Sequence, residues 1–225
     1  MIKPGLNAHP LAKAVLSVAL LGTLQGCVPL IVGGAAMGAA ATMDRRTLGA
    51  QTEDKSITVK AEVQVPKLVG SAGHVNIASY NRKVLLTGEV RDEAMKTAVE
   101  NEVRRIEGVQ AVINELVVAG PSSYTSRSSD ALITGNVKGS LVEMKTISAT
   151  SFKVVTERGT VYLMGRVTQR EGDLAAKIAQ SVAGVQRVVK LFEYMSEDEL
   201  RTQFPKSSSV ALSYPAGLRS RFFYA

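Results

Sequence analysis

An internal repeat restricts the fold of this chain more than any other feature of its sequence. Residues 84–90 read VLLTGEV and residues 161–167 read VYLMGRV, so each segment is an apolar run interrupted by a single glycine. These glycines are Gly88 and Gly165. A segment that recurs in this way indicates one supersecondary unit that is built twice along the chain.

A second pair of glycines marks the later part of each copy. Gly108 stands in the segment IEGV and Gly184 in the segment VAGV, and a strand-like run follows each of them. The runs, AVINELVV at 111–118 and RVVKLFEY at 187–194, are rich in residues that favour strands. Both glycines suit the left-handed C′ position that often ends a helix. The pattern therefore predicts a helix before each of them.

Hydrophobic spacing predicts the same helix independently. In both copies apolar residues recur three and four positions apart, while charged residues fall elsewhere. The predicted buried face consists of Ala94, Ala98, Val99, Val103 and Ile106 in the first copy, and of Leu174, Ala175, Ile178, Ala179 and Val182 in the second.

A further helix is predicted at the start of each copy. Asp54 and Asp130 are read as the residues that cap these helices, because a carboxylate can accept hydrogen bonds from free N–H groups at a helix start. The apolar face that follows consists of Ile57, Ala61, Val65 and Leu68 in the first copy, and of Ile133, Val137 and Leu141 in the second.

A hairpin precedes the glycine of each apolar strand. In the first copy the residues from His74 to Tyr80 lead through Asn81-Arg82 into the next strand. In the second copy the turn is Glu157-Arg158-Gly159. Asn and Gly suit the positive φ angles that a tight hairpin turn requires.

The unit is therefore α-β-β-α-β, and the predicted fold class is α+β, with helices packed on one face of a small three-stranded mixed sheet in each copy. The predicted organisation is a signal peptide at 1–26, a Gly/Ala-rich tether at 27–52, domain 1 at 53–119, a linker at 120–128, domain 2 at 129–195 and a C-terminal tail at 196–225.

A glycine after an apolar strand, then an amphipathic helix, Gly-Val and a last strand resembles the BON domain. Two such copies are similar to the dual BON-domain outer-membrane lipoproteins. Two further segments resemble that family, namely DRRTLGAQ at 44–51 and TERGTVYLMG at 156–165. The resemblance implies a non-enzymatic protein that binds anionic phospholipid through its second BON domain and supports outer-membrane integrity.

Carried over to this sequence, the resemblance places lipid binding on the first helix of domain 2. The bottom-up interpretation separates a core face from an outer face, on which Leu132 would insert shallowly while lysines meet phosphates. An ordinary amphipathic helix with a solvated basic side remains the alternative. The candidate lipid-binding residues are Leu132, Gly135, Asn136, Lys138, Gly139 and Lys145.

The amino end indicates export. Lys3 and Lys13 precede an apolar run from Ala14 to Leu24, whose roughly 11 residues are too few for a bilayer span of about 20. The next residues, LQGC, resemble the bacterial lipobox, and Cys27 is the single cysteine of the chain. We therefore expect acylation of Cys27, with a palmitate-type chain. The absence of Asp after it favours the outer membrane, with the domains facing the periplasm.

The segment VPLIVGGAAMGAAAT at 28–42 competes with this interpretation, because it is apolar and its Gly34 and Gly38 have the spacing of a helix-packing motif. Pro29 and Gly26 interrupt it, so we interpret it as a tether, with membrane insertion as the alternative.

Charge points to anionic surfaces as partners. Removal of the signal with Lys3 and Lys13 lowers the formal net charge from +7 to +5. In the periplasm this favours phosphatidylglycerol or cardiolipin headgroups, and nucleic acid is not an expected partner. Two functional classes remain open: a lipid-binding module, and an adaptor for cell-wall or outer-membrane assembly proteins that does not touch lipid.

Catalysis finds little support in the sequence. His74 is the one histidine left after processing, and no second His or Cys could complete a nucleophilic or metal site. We therefore expect no enzyme activity, no cofactor and no metal. The tail beyond Tyr194 begins with SEDEL, which predicts a short helix, and ends in basic and aromatic residues.

Overall fold

The computed structural model describes residues 44–204. The proposed signal peptide, Cys27, the apolar segment 28–42 and residues 205–225 lie outside this range. In chain order the elements are α1 (Leu48–Val69), β1 (His74–Tyr80), β2 (Lys83–Val90), α2 (Glu93–Arg104), β3 (Ala111–Asn114), β4 (Val117–Val118), α3 (Tyr124–Glu143), β5 (Phe152–Glu157), β6 (Thr160–Val167), α4 (Gln169–Ser181), β7 (Arg187–Tyr194) and α5 (Glu197–Gln203).

The α-β-β-α-β order appears twice, which confirms the predicted fold class. In each sheet the central strand pairs antiparallel with the strand before it and parallel with the strand after α2 or α4. The third strand of domain 1 is split into β3 and β4, which both pair with β2. Between them Leu116 is buried in the core at 1% exposure.

The predicted starts of the first helices were wrong. Thr47 caps α1 by accepting a hydrogen bond from Ala50 N, and Ser123 caps α3 by accepting one from Ser126 N. Asp54 and Asp130 instead lie inside these helices and are buried. The hydroxyl cap lies seven residues earlier in each case, which the apolar spacing did not reveal.

The predicted buried faces are largely confirmed, with two differences. Leu68 is 40% exposed and Val69 takes the buried position, which continues the spacing of four from Val65. Ala94 is exposed; it lies in the first turn of α2, which begins at Glu93. The short helix predicted after Tyr194 is confirmed as α5, which Ser196 caps.

Both hairpins turn on two residues with positive φ, as predicted. The φ angles are 49° and 64° at Asn81 and Arg82, and 49° and 69° at Arg158 and Gly159. Consecutive positive φ angles in a two-residue loop are those of a type I′ turn. The Asn and Gly at these positions were the sequence signal, whereas Arg82 and Arg158 carried none.

The glycines of the repeat lie where a side chain would meet backbone or adopt strained angles. A Cβ on Gly88 would approach His74 O to 2.1 Å, and a Cβ on Gly165 would approach Ser151 O to 2.5 Å. Gly108 and Gly184 have φ angles of 91° and 89°. Each is the third residue of a turn closed by a backbone hydrogen bond, Val109 N to Ile106 O and Val185 N to Val182 O. They therefore belong to β-turns beyond the helix ends rather than to C′ positions.

The two sheets pack against each other through the faces that carry no helices. Domain 1 contributes Ala78, Tyr80 and Leu85 to this layer. Domain 2 contributes Val155, Tyr162 and Met164. Separate cores fill the space between each sheet and its own helices. Residues 48–194 thus form four layers, with α1 and α2 on one outside and α3 and α4 on the other.

Candidate functional site

Helix α3 is fixed on its sheet by a buried carboxylate and an apolar face. The Asp130 carboxylate accepts hydrogen bonds from the backbone N–H groups of Arg158 and Gly159, both at 2.9 Å. Thr134 Oγ1 donates to Thr156 Oγ1 at 2.7 Å. The predicted core residues of α3, namely Ile133, Val137 and Leu141, are buried at 7%, 0% and 1% exposure.

Domain 1 contains the same device. The Asp54 carboxylate accepts from the backbone N–H groups of Asn81 and Arg82, at 2.7 and 2.8 Å, and from Ser79 Oγ. Such charge-assisted hydrogen bonds each contribute roughly 1.5–3 kcal/mol. They hold non-glycine residues at positive φ, so the aspartates connect each first helix to its hairpin.

The outer face of α3 presents uncharged side chains and bare backbone. Leu132 is 70% exposed and Val142 is 69% exposed. Successive residues are about 100° apart around a helix, which places Gly135 and Gly139 between these two side chains. A Cβ on either glycine would meet nothing within 4 Å. Asn136 is exposed beside them. We call Leu132, Gly135, Asn136, Gly139 and Val142 the α3 outer face.

Two lysines border the α3 outer face. Lys138 is exposed on the flank of α3, and Lys145 is exposed just beyond the helix end at Glu143. Neither forms a salt bridge within residues 44–204. The structure thus brings the six candidate residues to one side of domain 2. Val142 belongs with them although the sequence analysis did not name it; its position ten residues after Leu132 was the available signal.

The corresponding face of α1 differs in chemistry. When Asp54 is aligned with Asp130, Val59 and Val63 take the places of Gly135 and Gly139. Both valines are exposed, at 58% and 55%. The absence of side chains on the α3 outer face is therefore not a requirement of the fold.

A segment before α1 joins the two domains, and no sequence pattern indicated this role. Arg45 is 7% exposed and makes two hydrogen bonds to the Glu171 carboxylate in α4, at 2.6 and 2.7 Å. Arg45 also lowers the pKa of Glu171, although burial opposes this. Arg46 pairs with Asp54 at 2.8 Å and stacks 4.4 Å above the Tyr80 ring.

Two acidic residues from different domains are buried close together in the interface. Glu89 in β2 is 0% exposed and Glu157 in β5 is 6% exposed. Burial raises the pKa of Glu157 to about 7, with further contributions from the charges of Glu89 and Asp130. Glu89 Oε2 accepts from Ser122 N at 3.0 Å, and Arg158 Nη1 lies 3.8 Å from Oε1.

The structure gives no catalytic arrangement to His74. Burial lowers its pKa, and the charge of Arg127, whose Nη1 is 3.4 Å from the ring, acts in the same direction. Between residues 44 and 204, no cluster of three or more His, Cys, Asp or Glu side chains could hold a metal ion. No helix in this same range is long and apolar enough to cross a membrane.

These features define a tandem α+β protein in which two copies of one small domain pack sheet to sheet. The model of the BON domain family matches residues 54–120 and 129–195. The chain belongs to the BON domain family, with two copies of the domain.

Three relatives extend this assignment. The outer membrane lipoprotein DolP of Haemophilus influenzae is 37% identical over 84% of this chain and 100% of its own length. The 21 kDa hemolysin of Actinobacillus pleuropneumoniae is 30% identical, over 68% of this chain and 80% of its own. The osmotically-inducible protein Y of Escherichia coli is 29% identical, over 60% and 70% respectively. The chain is thus a DolP-like dual BON protein, and the likeness supports an association with the outer membrane. None of these names describes an enzyme.

Proposed function

We propose that this chain is a non-enzymatic outer-membrane lipoprotein that binds anionic phospholipid through the α3 outer face and thereby supports outer-membrane integrity. The observation that carries the proposal is that face itself. It exposes Leu132 and Val142 around two bare glycines, with Lys138 and Lys145 at its border.

The two glycines support close approach of the helix to a surface. Each costs up to about 1 kcal/mol of helix stability relative to Ala, and no packing contact within domain 2 requires either of them. Without side chains the backbone of α3 can lie nearer to headgroups than that of α1, where Val59 and Val63 project.

The expected affinity of the face alone is modest. Each lysine near an anionic surface contributes about 1 kcal/mol, and the attraction fades over a Debye length of roughly 8 Å at physiological salt. Partial insertion of Leu132 and Val142 adds less than the roughly 1.5–3 kcal/mol of a fully buried side chain each. A face of this strength works together with an acyl anchor, because stable membrane attachment takes two signals.

Co-flotation with phosphatidylglycerol or cardiolipin vesicles tests the proposal. The chain from residue 27 onwards would carry Cys27→Ser, so that no acyl chain contributes. Flotation should require anionic lipid and weaken as salt rises. Leu132→Asp should reduce flotation, and Lys138→Glu with Lys145→Glu should reduce it more than neutralisation to Gln does.

A matched control is available in domain 1. Val59→Asp places the same charge on an exposed apolar position of α1, 58% exposed against 70% for Leu132, and should leave flotation unchanged. All variants would be checked for native melting, because the core depends on Ile133, Val137 and Leu141. Undiminished flotation of a folded Leu132→Asp, Lys138→Glu, Lys145→Glu variant would exclude the α3 outer face as the lipid site.

The anchor is proposed at Cys27, with the domains facing the periplasm. Metabolic labelling with a palmitate analogue should mark the original chain and fail to mark Cys27→Ser. Equal labelling of both would refute acylation at this residue.

A protein adaptor is the second candidate, and the exposed face of α1 favours it. Leu48, Val59 and Val63 are 66%, 58% and 55% exposed there. Because α1 and α3 lie on opposite outsides of the four layers, a flat membrane in contact with one leaves the other free. If the non-acylated chain fails to float while Val59→Asp disturbs the envelope in cells, the adaptor function is the better interpretation.

A further inference from the structure

A concavity lies just beyond the end of α3 in domain 2, and it includes Lys145, which borders the α3 outer face. It encloses about 670 Å³ and is lined by the loop after α3, the first turn of α4 and one side of α5. Small-molecule sites typically have about 300–1,000 Å³, so its size is that of a ligand pocket. The side chains that decide its chemistry are Arg45, Lys145, Ile147, Arg170, Leu200 and Arg201.

Two of the four cationic side chains that line this pocket have close acidic partners, and the other two form a positively charged rim. Arg45 is neutralised by Glu171, and Arg170 Nε lies 3.3 Å from Glu197 Oε1. Lys145 has no salt bridge within the described residues. Arg201 has a loose one only, at 3.9 Å to Asp198, and both of these side chains are largely exposed. The rim thus offers two cations that a ligand anion can approach without displacing a strong internal pair.

The floor of the same pocket is partly apolar. Ile147 is 7% exposed and belongs to the core of domain 2, while Leu200 is half-buried on the inner side of α5. Thr146 and Ser148 also line the pocket. An amphiphile with one negative charge and neighbouring hydroxyl or ester oxygens matches this set of groups.

We propose that this pocket takes the phosphodiester and glycerol portion of a single anionic phospholipid, whose acyl chains remain in the bilayer. The inference rests on the proposed lipid function and adds a second contact, in which one lipid molecule binds in each pocket. The phosphate lies between Lys145 and Arg201, and the glycerol carbons lie against Ile147 and Leu200. One observation favours a membrane source over a free phosphodiester: the pocket shares Lys145 with the border of the α3 outer face.

The experiment titrates the isotope-labelled chain from residue 27, with Cys27→Ser, using monomeric dihexanoyl phosphatidylglycerol. Amide resonances of Thr146, Ser148 and Leu200 should shift and saturate. Lys145→Gln with Arg201→Gln should weaken this binding at least about tenfold, because each cation near an anion contributes about 1 kcal/mol. Arg105→Gln is the matched control, since Arg105 is as exposed as Arg201 and has a similar loose partner at 3.8 Å. It should change nothing.

A second pair of variants separates the pocket from the α3 outer face. Leu132→Asp with Lys138→Glu should lose vesicle flotation yet keep the dihexanoyl lipid titration, because neither residue lines the pocket. Absence of shifts in the pocket, or equal loss with Arg105→Gln, would overturn the pocket while leaving the flotation result intact. Equal affinity for glycerophosphoglycerol would overturn the lipid as its occupant. A saturable pocket in a chain that does not float would instead retain this inference and refute the proposed function.

Discussion

Glu157 should make the stability of this protein depend on pH across the neutral range. Its carboxylate is 6% exposed in the domain interface, and its pKa is raised from 4.5 to about 7. At about 1.36 kcal/mol for each pKa unit, this rise corresponds to on the order of 3 kcal/mol. Burial is the largest cause, and the charge of Glu89 is the next.

The sign follows from proton binding. Between pH 4.5 and about 7 the folded chain keeps the Glu157 proton more often than the unfolded chain does. The free energy of unfolding therefore falls as pH rises through this window, and the full loss is present above it. Glu157→Gln keeps the shape of the protonated side chain without the charge. It should abolish this part of the pH dependence and stabilise the protein at pH 8 by up to about 3 kcal/mol.

Urea unfolding from pH 4 to pH 8 measures the effect as a difference between variant and original, so that other titrating groups cancel. Glu107→Gln is the control, because the Glu107 side chain is 94% exposed. Carbon-detected NMR should give a Glu157 midpoint near pH 7, and Glu89→Gln should lower it. Parallel stability profiles for Glu157→Gln and the original chain would refute the reasoning.

Three further substitutions test the architecture. Gly165→Val should destabilise domain 2 by at least about 1–3 kcal/mol, because even its Cβ would lie 2.5 Å from Ser151 O; an unchanged melting profile would contradict this. Asp130→Ala leaves two backbone N–H groups at the hairpin without their acceptor, so it should lower the free energy of unfolding by about 2–4 kcal/mol in chemical denaturation. The control Asp92→Ala removes only a helix cap and should lower it by about 1 kcal/mol. Arg45→Ala leaves the buried Glu171 carboxylate without its partner and should lower the free energy of unfolding by about 3–5 kcal/mol. A double-mutant cycle with Glu171→Gln should show strong coupling, and additive effects would show that the pair is not formed.

Much of the fold could be predicted because its signals are local. Each hairpin has Asn or Gly at a positive φ position, and helices α2 and α4 have clear apolar faces. The packing of the two sheets was missed, although Val84, Leu85 and Leu86 are consecutive and all 0% exposed. A strand that is buried on both faces loses the alternation of a strand with one wet side. That unbroken run was the available signal that something covers the second face.

The roles of charged residues were harder to predict, because they depend on partners that are distant in sequence. From the sequence, Asp54 and Asp130 could equally be helix caps. The structure shows that they accept hydrogen bonds from hairpin N–H groups less than 3 Å away. Arg45 meets Glu171 across 126 positions of the chain. No periodicity encodes such a pair. The exposed residues of α3 could be named from the sequence, since a helix with a defined core face also defines its outer face.

The described chain contacts domain 2 before it enters the first helix of domain 1. Helices α1 and α3 both expose apolar side chains, so exposure alone does not distinguish them. Arg45, however, is bound to α4 and to Arg166 O, both in domain 2, before the chain reaches α1. Helix α4 lies in the same outer layer as α3. The Arg45–Glu171 pair therefore fixes the start of the described chain on the outer layer that contains α3. Because Arg45 binds Glu171 in domain 2 and Arg46 binds Asp54 in domain 1, the two arginines before α1 connect this segment to both domains and fix their relative orientation.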